Sequence, residues 1–440
     1  MAAAADEALF ELLRIPSISA LPEHADDVER ARQLVVDRLR RLGFEIELAP
    51  GVISAEWMGR PGKPVLGIYG HYDVQPPDPL DLWETPPFEP TVRDGYVYAR
   101  GAVDNKGQLV ANLMAVEGAF AEGGPPVNVR FLIEGEEEIG GRSLPDFVRA
   151  NAERLPTDYM SLIDGYFVAP GIPSLITALR GLLYVEIEVT GPAVDLHSGM
   201  FGGVAPNPFN SLVWMLAGLK DRGGRVLIPG FYDSWRAPTK EEIESWSKLP
   251  YGEEARLLAT MGARALEGES DFTPIERIWA RPTLDVHGIR GGFIGEGQKT
   301  VIPSQALAKV SMRLVPDQDP EEILASLRSH LSTLATPGVS FEVRVMSMTR
   351  PVLCGVDHPG VAAARRAYAA AFGSEPVLAR EGGSVPVSLE LQEALGAKMI
   401  VSGFGLPDDG MHSPNERFSL DQFHRGIEFT ERLMHELAAD

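Results

Sequence analysis

The segment Val65-Leu-Gly-Ile-Tyr69 is a short apolar run in which hydrophobic residues do not alternate with polar ones. A strand with this pattern is typically buried on both faces, as in a parallel sheet that helices cover. A helix is predicted from about Lys106 to Phe120, and residues 127–133, VNVRFLI, form a second such strand. Strands that alternate with helices predict an α/β domain with a mostly parallel sheet and helices on both faces.

The pattern changes near Leu183. Apolar and polar residues alternate in residues 184–190, YVEIEVT, and in residues 308–314, AKVSMRL, which is typical of antiparallel strands with one face in solvent. After Pro316, helices and strands alternate again up to a final helix at about residues 420–437. We therefore predict an inserted α+β domain with an antiparallel sheet. The α/β domain would comprise residues 1–182 and 316–440, and the inserted domain would comprise residues 183–315.

Composition and charge exclude several classes of function. The chain of 440 residues has 40 Lys and Arg against 62 Asp and Glu, a net charge of −22, which repels nucleic acid and anionic membrane surfaces. The only cysteine is Cys354, so any metal must be held by His, Asp and Glu. The sequence has no run near the roughly 20 apolar residues that span a bilayer. It also starts without the pattern of a signal peptide, and we expect a cytoplasmic protein.

Acidic or histidine side chains follow short apolar runs, or lie in glycine-rich loops, at five places. Four of the five have a simple structural explanation: a polar loop for His71 and Asp73, a helix cap for Asp104, a solvated acidic turn for residues 134–138, and a surface loop for His412. Together they supply two histidines, several carboxylates and no cysteine, which suits two divalent cations bridged by one carboxylate. The five segments are Gly70-His-Tyr-Asp73, Arg100-Gly-Ala-Val-Asp104, Glu134-Gly-Glu-Glu-Glu138, Ser161-Leu-Ile-Asp164 and Asp408-Asp-Gly-Met-His412.

These motifs make the chain resemble the two-metal aminopeptidase-like hydrolases, a family that includes dipeptidases, glutamate carboxypeptidase, aminoacylase and desuccinylases. The resemblance covers nearly the whole chain and is closest to the branch of cytosolic non-specific dipeptidase and carnosinase. The motifs that carry it are GHYDVQP at 70–76, RGAVDNKG at 100–107, DLHSG at 195–199, KTVIP at 299–303, REGGSVP at 380–386 and DDGMHS at 408–413.

The resemblance implies a ligand set. Asp104 would bridge two divalent ions, zinc first, with manganese or cobalt as alternatives. His71 and Asp164 would complete one ion site, and Glu138 and His412 would complete the other.

The resemblance also implies catalytic roles. Glu137 would be the general base, and Asp73 would orient His71. Residues 136–138 are three consecutive glutamates, so the assignment of the base and of the ligand could each be displaced by one residue. The glycine pair that follows, aligned with a small pair in the family, favours Glu137 as the base.

The inserted domain would then be a lid and dimerisation domain. His197 would enter the active site of the partner subunit and stabilise the oxyanion, so a homodimer is expected. Thr300, Arg313 and Ser384 would hold the carboxylate and backbone of a small peptide substrate. Without the resemblance, Arg313 on a wet strand face and Ser384 in a loop are better explained as surface residues.

The predicted activity is metal-dependent hydrolysis of the amide bond of dipeptides or similar small peptides. One alternative is a deacylase of N-acetyl or N-succinyl amino acids that uses the same metal centre. A second alternative, from a different class, is a catalytically silent binding protein. The presence of the whole ligand set and of the base argues against a silent binding protein.

Overall fold

The computed structural model describes residues 2–247, 249, 254–381 and 386–439. The described chain forms two compact units, one within residues 1–177, 354–379 and 386–440 and the other within residues 178–353 and 380–385. The helices are α1 Ala2–Leu13, α2 Ala25–Arg41, α3 Lys106–Ala121, α4 Ser143–Asn151, α5 Ser198–Phe201, α6 Pro208–Ala217, α7 Lys240–Trp246, α8 Glu254–Met261, α9 Pro274–Trp279, α10 Pro320–Leu334, α11 Pro359–Phe372, α12 Pro386–Leu395 and α13 Leu420–Ala439. The strands are β1 Glu45–Ala49, β2 Val52–Trp57, β3 Val65–His71, β4 Thr91–Arg93, β5 Tyr96–Tyr98, β6 Asn128–Glu134, β7 Tyr159–Tyr166, β8 Ser174–Leu179, β9 Gly181–Thr190, β10 Leu196–His197, β11 Thr283–Gly291, β12 Val301–Ile302, β13 Gln305–Leu314, β14 Ser340–Thr349, β15 Val352–Leu353, β16 Val377–Glu381, β17 Lys398–Gly405 and β18 Arg417–Ser419.

The first unit is built on a sheet with the strand order β1-β2-β6-β3-β7-β17-β8. Its four central strands, β6, β3, β7 and β17, run parallel, whereas β1, β2 and β8 are antiparallel to their neighbours. The buried strand at residues 65–71 and the helix at residues 106–121 confirm the sequence-based prediction of an α/β domain.

Helices cover both faces of this sheet. Successive side chains of a strand point to opposite faces. In β6, Phe131 and Ile133 join an apolar cluster with Leu109 and Val116 of α3, whereas Leu132 between them is buried on the other face. The helices α1, α3, α11 and α13 pack in one group, and α4 packs on α12.

The second unit contains an antiparallel sheet with the order β11-β13-β9-β14. Buried and partly exposed residues alternate along all ten residues of β9, which confirms the predicted half-wet strand. Leu183, Val185 and Ile187 of β9 form its apolar face together with side chains of α6 and α10.

The second unit extends beyond the boundary expected at residue 315. The strand β14 pairs with β9 from Ser340 to Thr349, and Leu327 and Leu331 of α10 belong to the same apolar cluster. The unit therefore runs from Ala178 to Leu353 rather than over residues 183–315. A helix followed by a strand after Pro316 looks locally like α/β alternation, and only the strand pairing shows which sheet it joins.

None of the helices in the described part of the chain combines the length and the apolar character that crossing a membrane requires.

Candidate metal centre

The parallel strands bring their polar ends to one edge of the sheet, where open α/β sheets place their sites. His71 is the last residue of β3, and Asp164 lies near the end of β7. A short 3-10 turn after β6 carries Glu137 and Glu138, and the loop after β17 carries His412.

Asp104 lies between the two histidines. Its Oδ1 is 3.1 Å from Nε2 of His71, and its Oδ2 is 3.0 Å from Nε2 of His412. Asp164 approaches His71 at 3.6 Å, and Glu138 approaches His412 at 3.1 Å. The sequence left a helix cap as the alternative for Asp104. The residue that directly precedes α3 is instead Asn105, and Asp104 faces both imidazoles.

These side chains form two overlapping groups that share Asp104. In each group, the candidate ligand atoms lie within 4.8 Å of one another. The two groups are His71 with Asp104 and Asp164, and Asp104 with Glu138 and His412.

The chemistry of this donor set fits two divalent cations. Burial raises the pKa of Asp164. Burial also raises the pKa of Glu137 to about 8; the charge of His71 lowers this pKa, and repulsion by nearby carboxylates raises it further. Carboxylates crowded in this way need compensating positive charge. Imidazole nitrogens and carboxylate oxygens are ligands that suit zinc, manganese and cobalt. The residues therefore fit the cofactor that the sequence predicts.

The turn after β6 separates the three consecutive glutamates. Glu138 belongs to one ligand group, and the partly buried Glu137 lies beside it in the same turn. The side chain of Glu136 lies instead against Gly51 and Gly141, where an added Cβ would come within 3 Å of it. This geometry favours Glu138 as the ligand and Glu137 as the base.

Asp73 supports both the histidine and the glutamate turn. Its Oδ1 lies 3.4 Å from Nδ1 of His71, and the ring also faces the Asp73 carbonyl oxygen at 3.1 Å. Its carboxylate accepts hydrogen bonds from the backbone amides of Glu137 and Glu138, at 3.3 and 3.1 Å. Asp73 therefore contacts more than His71, since it also holds the turn that carries Glu137 and Glu138.

Two amide side chains escaped the sequence analysis. Asn105 donates to Asp164 at 2.6 Å, and Gln75 donates to Glu138 at 2.9 Å. Hydrogen bonds of this kind orient ligands and tune metal affinity. Both residues lie in motifs that carry the family resemblance, Gln75 close to His71 and Asn105 next to Asp104. Their closeness in sequence to these candidate ligands could have indicated a role at the site.

His197 and Thr300 lie together in the second unit. His197 pairs with Val301 across β10 and β12, and the Ser198 amide donates to the Thr300 carbonyl oxygen at 3.1 Å. The exposed His197 ring accepts a hydrogen bond at Nδ1 from the Gly199 amide at 3.0 Å. This places the ring proton on Nε2, which can act as a donor. Ser384 lies outside the described residues.

A second arginine accompanies Arg313. Arg313 lies opposite Leu182 in the pairing of β13 with β9. Arg180 directly precedes β9 and lies close enough to Arg313 for their charges to interact. Arg180 is 8% exposed, and its buried Nε has no hydrogen-bond partner. Burial and the charge of Arg313 lower the pKa of Arg180 to about 10. The sequence analysis missed Arg180, because an arginine at a strand start carries no local signal.

A centre of this composition at the strand ends of an α/β unit is typical of metallohydrolases. The chain belongs to peptidase family M20/M25/M40, whose sequence profile matches residues 67–436. This confirms the family resemblance, and membership implies a hydrolase that uses divalent metal.

Curated relatives include dipeptidases. A Beta-Ala-His dipeptidase of Homo sapiens is 32% identical over 96% of this chain and 87% of its own length. A Cys-Gly metallodipeptidase dug1 of Schizosaccharomyces pombe is 33% identical over 98% of this chain and 95% of its own length.

Solved structures agree with this assignment. The M20 family metallo-carboxypeptidase Sso-CP2 from Sulfolobus solfataricus superposes with a TM-score of 0.85 at 32% identity, covering 99% of both chains. Human carnosine dipeptidase 1 superposes with a TM-score of 0.80 at 30% identity, covering 100% of this chain and 97% of that chain. The chain is therefore a metallopeptidase related to metallodipeptidases.

Proposed function

We propose that this protein is a metal-dependent dipeptidase that hydrolyses the amide bond of dipeptides or similar small peptides. The observation that carries the proposal is the position of Asp104, whose two oxygens face His71 and His412 at 3.1 and 3.0 Å. One carboxylate shared between two ligand groups is the arrangement that a two-metal hydrolase needs. The similarity to Beta-Ala-His and Cys-Gly dipeptidases supports the substrate class.

Glu137 is the proton-transfer group. When bound, two divalent ions would polarise the scissile carbonyl and make a water molecule at the site easier to deprotonate. Glu137 accepts a proton from that water and then donates it to the leaving amine, which cannot depart as an anion. Asp73 holds the turn of Glu137 in place through two backbone amides.

The ions are proposed to be zinc, with manganese or cobalt as alternatives, because the oxygen and imidazole ligands accept all three. The cytoplasmic location is a proposal from the sequence, and availability in that compartment would decide between the metals.

A homodimer formed through the second unit is part of the proposal. That unit exposes large apolar side chains beyond what scattered surface residues explain. On its helix α6, Trp214 is 55% exposed, and near His197 the side chains of Met200 and Val204 are 73% and 81% exposed. A second copy of the chain would cover such a surface and bring His197 to the partner's site, where its Nε2–H stabilises the oxyanion.

The activity is tested by two substrate panels on the metal-loaded protein. We expect hydrolysis of dipeptides, and little or no release of acetate or succinate from N-acyl amino acids. Faster turnover of the N-acyl panel would favour the deacylase. Turnover of neither panel, together with fewer than two bound ions per chain, would favour the silent binding protein.

Arg180 and Arg313 are proposed to bind the substrate carboxylate. No ion pair joins either guanidinium to an acidic side chain among the residues that the structure describes, so the two charges remain available to an anion. Arg180→Met is expected to raise KM for free-acid dipeptides about 10- to 100-fold, the value of a lost charged hydrogen bond. KM for the same dipeptides with an amidated C-terminus should change little.

Arg344→Met is the matched control for this prediction. Arg344 lies on the same sheet but is paired with Glu186 and Glu188, both at 2.7 Å. Its loss should leave KM for free acids unchanged. An equal rise in KM for acids and amides in Arg180→Met would show that Arg180 supports the fold and does not recognise the carboxylate.

A further inference from the structure

Glu416 is a fully buried carboxylate just before β18, and its side chain accepts hydrogen bonds from the segment at residues 100–104. Its Oε2 accepts hydrogen bonds from Nη1 of Arg100 at 2.7 Å and from the Gly101 amide at 3.0 Å. Its Oε1 accepts from the Val103 amide at 3.0 Å and from the Asp104 amide at 3.1 Å. Both carboxylate oxygens are therefore committed to one short loop.

These four bonds explain how a buried carboxylate is accommodated. A charge without partners in the interior is costly, whereas one paired with arginine and with backbone amides is stable. Arg100 is buried as well, and its Nη2 donates to the Pro76 carbonyl oxygen at 3.2 Å. Neither Glu416 nor Arg100 is a ligand or base in the proposed mechanism, so any effect of this pair on the metal centre must come through the loop that it holds.

Glu416 also belongs to the segment that carries His412. Its carbonyl oxygen accepts from the Ala99 amide at 3.1 Å, which fixes the two segments by main chain as well as by side chain. The same segment is closed by Asp409, whose Oδ2 accepts from the Leu406 amide at 2.7 Å. One residue thus sets the distance between the loop of Asp104 and the loop of His412.

We propose that Glu416 is a positioning residue for both halves of the metal centre. It holds the backbone of Asp104 so that one oxygen faces the His71 group while the other faces the His412 group. This inference rests on the proposed two-metal centre. Glu416 acts through the backbone of Asp104 and belongs to neither ligand group, so its loss should affect both ion sites together.

Glu416→Gln tests this inference, because glutamine keeps the shape but removes the charge and one acceptor oxygen. The metal-free full-length protein is titrated with Zn²⁺ by calorimetry with a competing chelator. We expect the affinity for both ions to fall together about 10- to 100-fold, as is typical when a group that orients ligands is lost. For comparison, His71→Asn removes a ligand from one group only and should weaken one ion selectively.

Glu56→Gln is the control for the loss of an acidic partner to a buried arginine. Glu56 pairs with the buried Arg130 at 2.5 Å, on the strand pair β2 and β6, and has no contact with the Asp104 loop. It should leave both Zn²⁺ affinities unchanged. If Glu416→Gln does not fold, the double variant Arg100→Met, Glu416→Gln removes the buried charges together and should show the same joint loss.

Two results would overturn the role of Glu416. One is wild-type affinity for both ions in the folded variant, and the other is the loss of only one ion. A separate result bears on the metal centre itself: wild-type protein that binds fewer than two Zn²⁺ ions would refute the proposed function before Glu416 is considered.

Discussion

Replacement of Glu137 by glutamine is expected to lower kcat about 10²- to 10⁴-fold while both metal ions remain bound. The side chain lies beside the two ligand groups without belonging to either, so its loss removes the proton acceptor but no ligand. Burial among carboxylates raises the pKa of Glu137 to about 8 in the metal-free protein, which shows how crowded with negative charge the position is. Steady-state kinetics on a dipeptide and metal analysis of the same sample provide the measurement.

The neighbouring glutamates are the controls. The side chain of Glu136 lies against Gly51 and Gly141, so Glu136→Gln should retain kcat within a few fold. Glu138→Gln should lose metal, because Glu138 is in the ligand group of His412. A variant set in which Glu136→Gln abolished turnover and Glu137→Gln did not would move the base by one residue.

The sequence predicts the strand ends well, and this explains why the candidate ligand residues could be placed at one edge of the sheet, whereas their roles came from the family resemblance. The short apolar run at residues 65–69 forms a buried strand, and the polar residue that ends this strand, His71, lies at the sheet edge. The parallel direction of β3, β6, β7 and β17 then brings these ends together.

The residues that the sequence did not reveal act through distant partners. Glu416 and Arg100 are 316 positions apart, and each looks like an ordinary charged residue in its own segment. The end of the inserted unit was misplaced for the same reason, because β14 joins β9 through pairing across about 150 positions. Local pattern predicts an element, but its partner is determined by packing.

His197→Asn is expected to lower kcat about 10²- to 10³-fold, the usual effect of removing an oxyanion donor. The ring is exposed, and its Nδ1 is held by the Gly199 amide, so the thermal unfolding temperature should stay close to that of the wild type. Thr300→Val, directly before β12, is a control for the folding of this region alone, because Thr300 is itself expected to contact the substrate. Its backbone bond to Ser198 does not involve the hydroxyl that is lost.

Mixing the two inactive variants separates action within a subunit from action across the dimer. Glu137→Gln supplies an intact His197, and His197→Asn supplies an intact Glu137. If His197 acts on the partner subunit, each mixed dimer has one complete site. Co-refolded variants should then regain about one quarter of the wild-type rate, since half of the dimers are mixed and half of their sites are complete. If His197 acts within its own chain, no site is complete in any dimer, and the mixture stays as inactive as either variant alone.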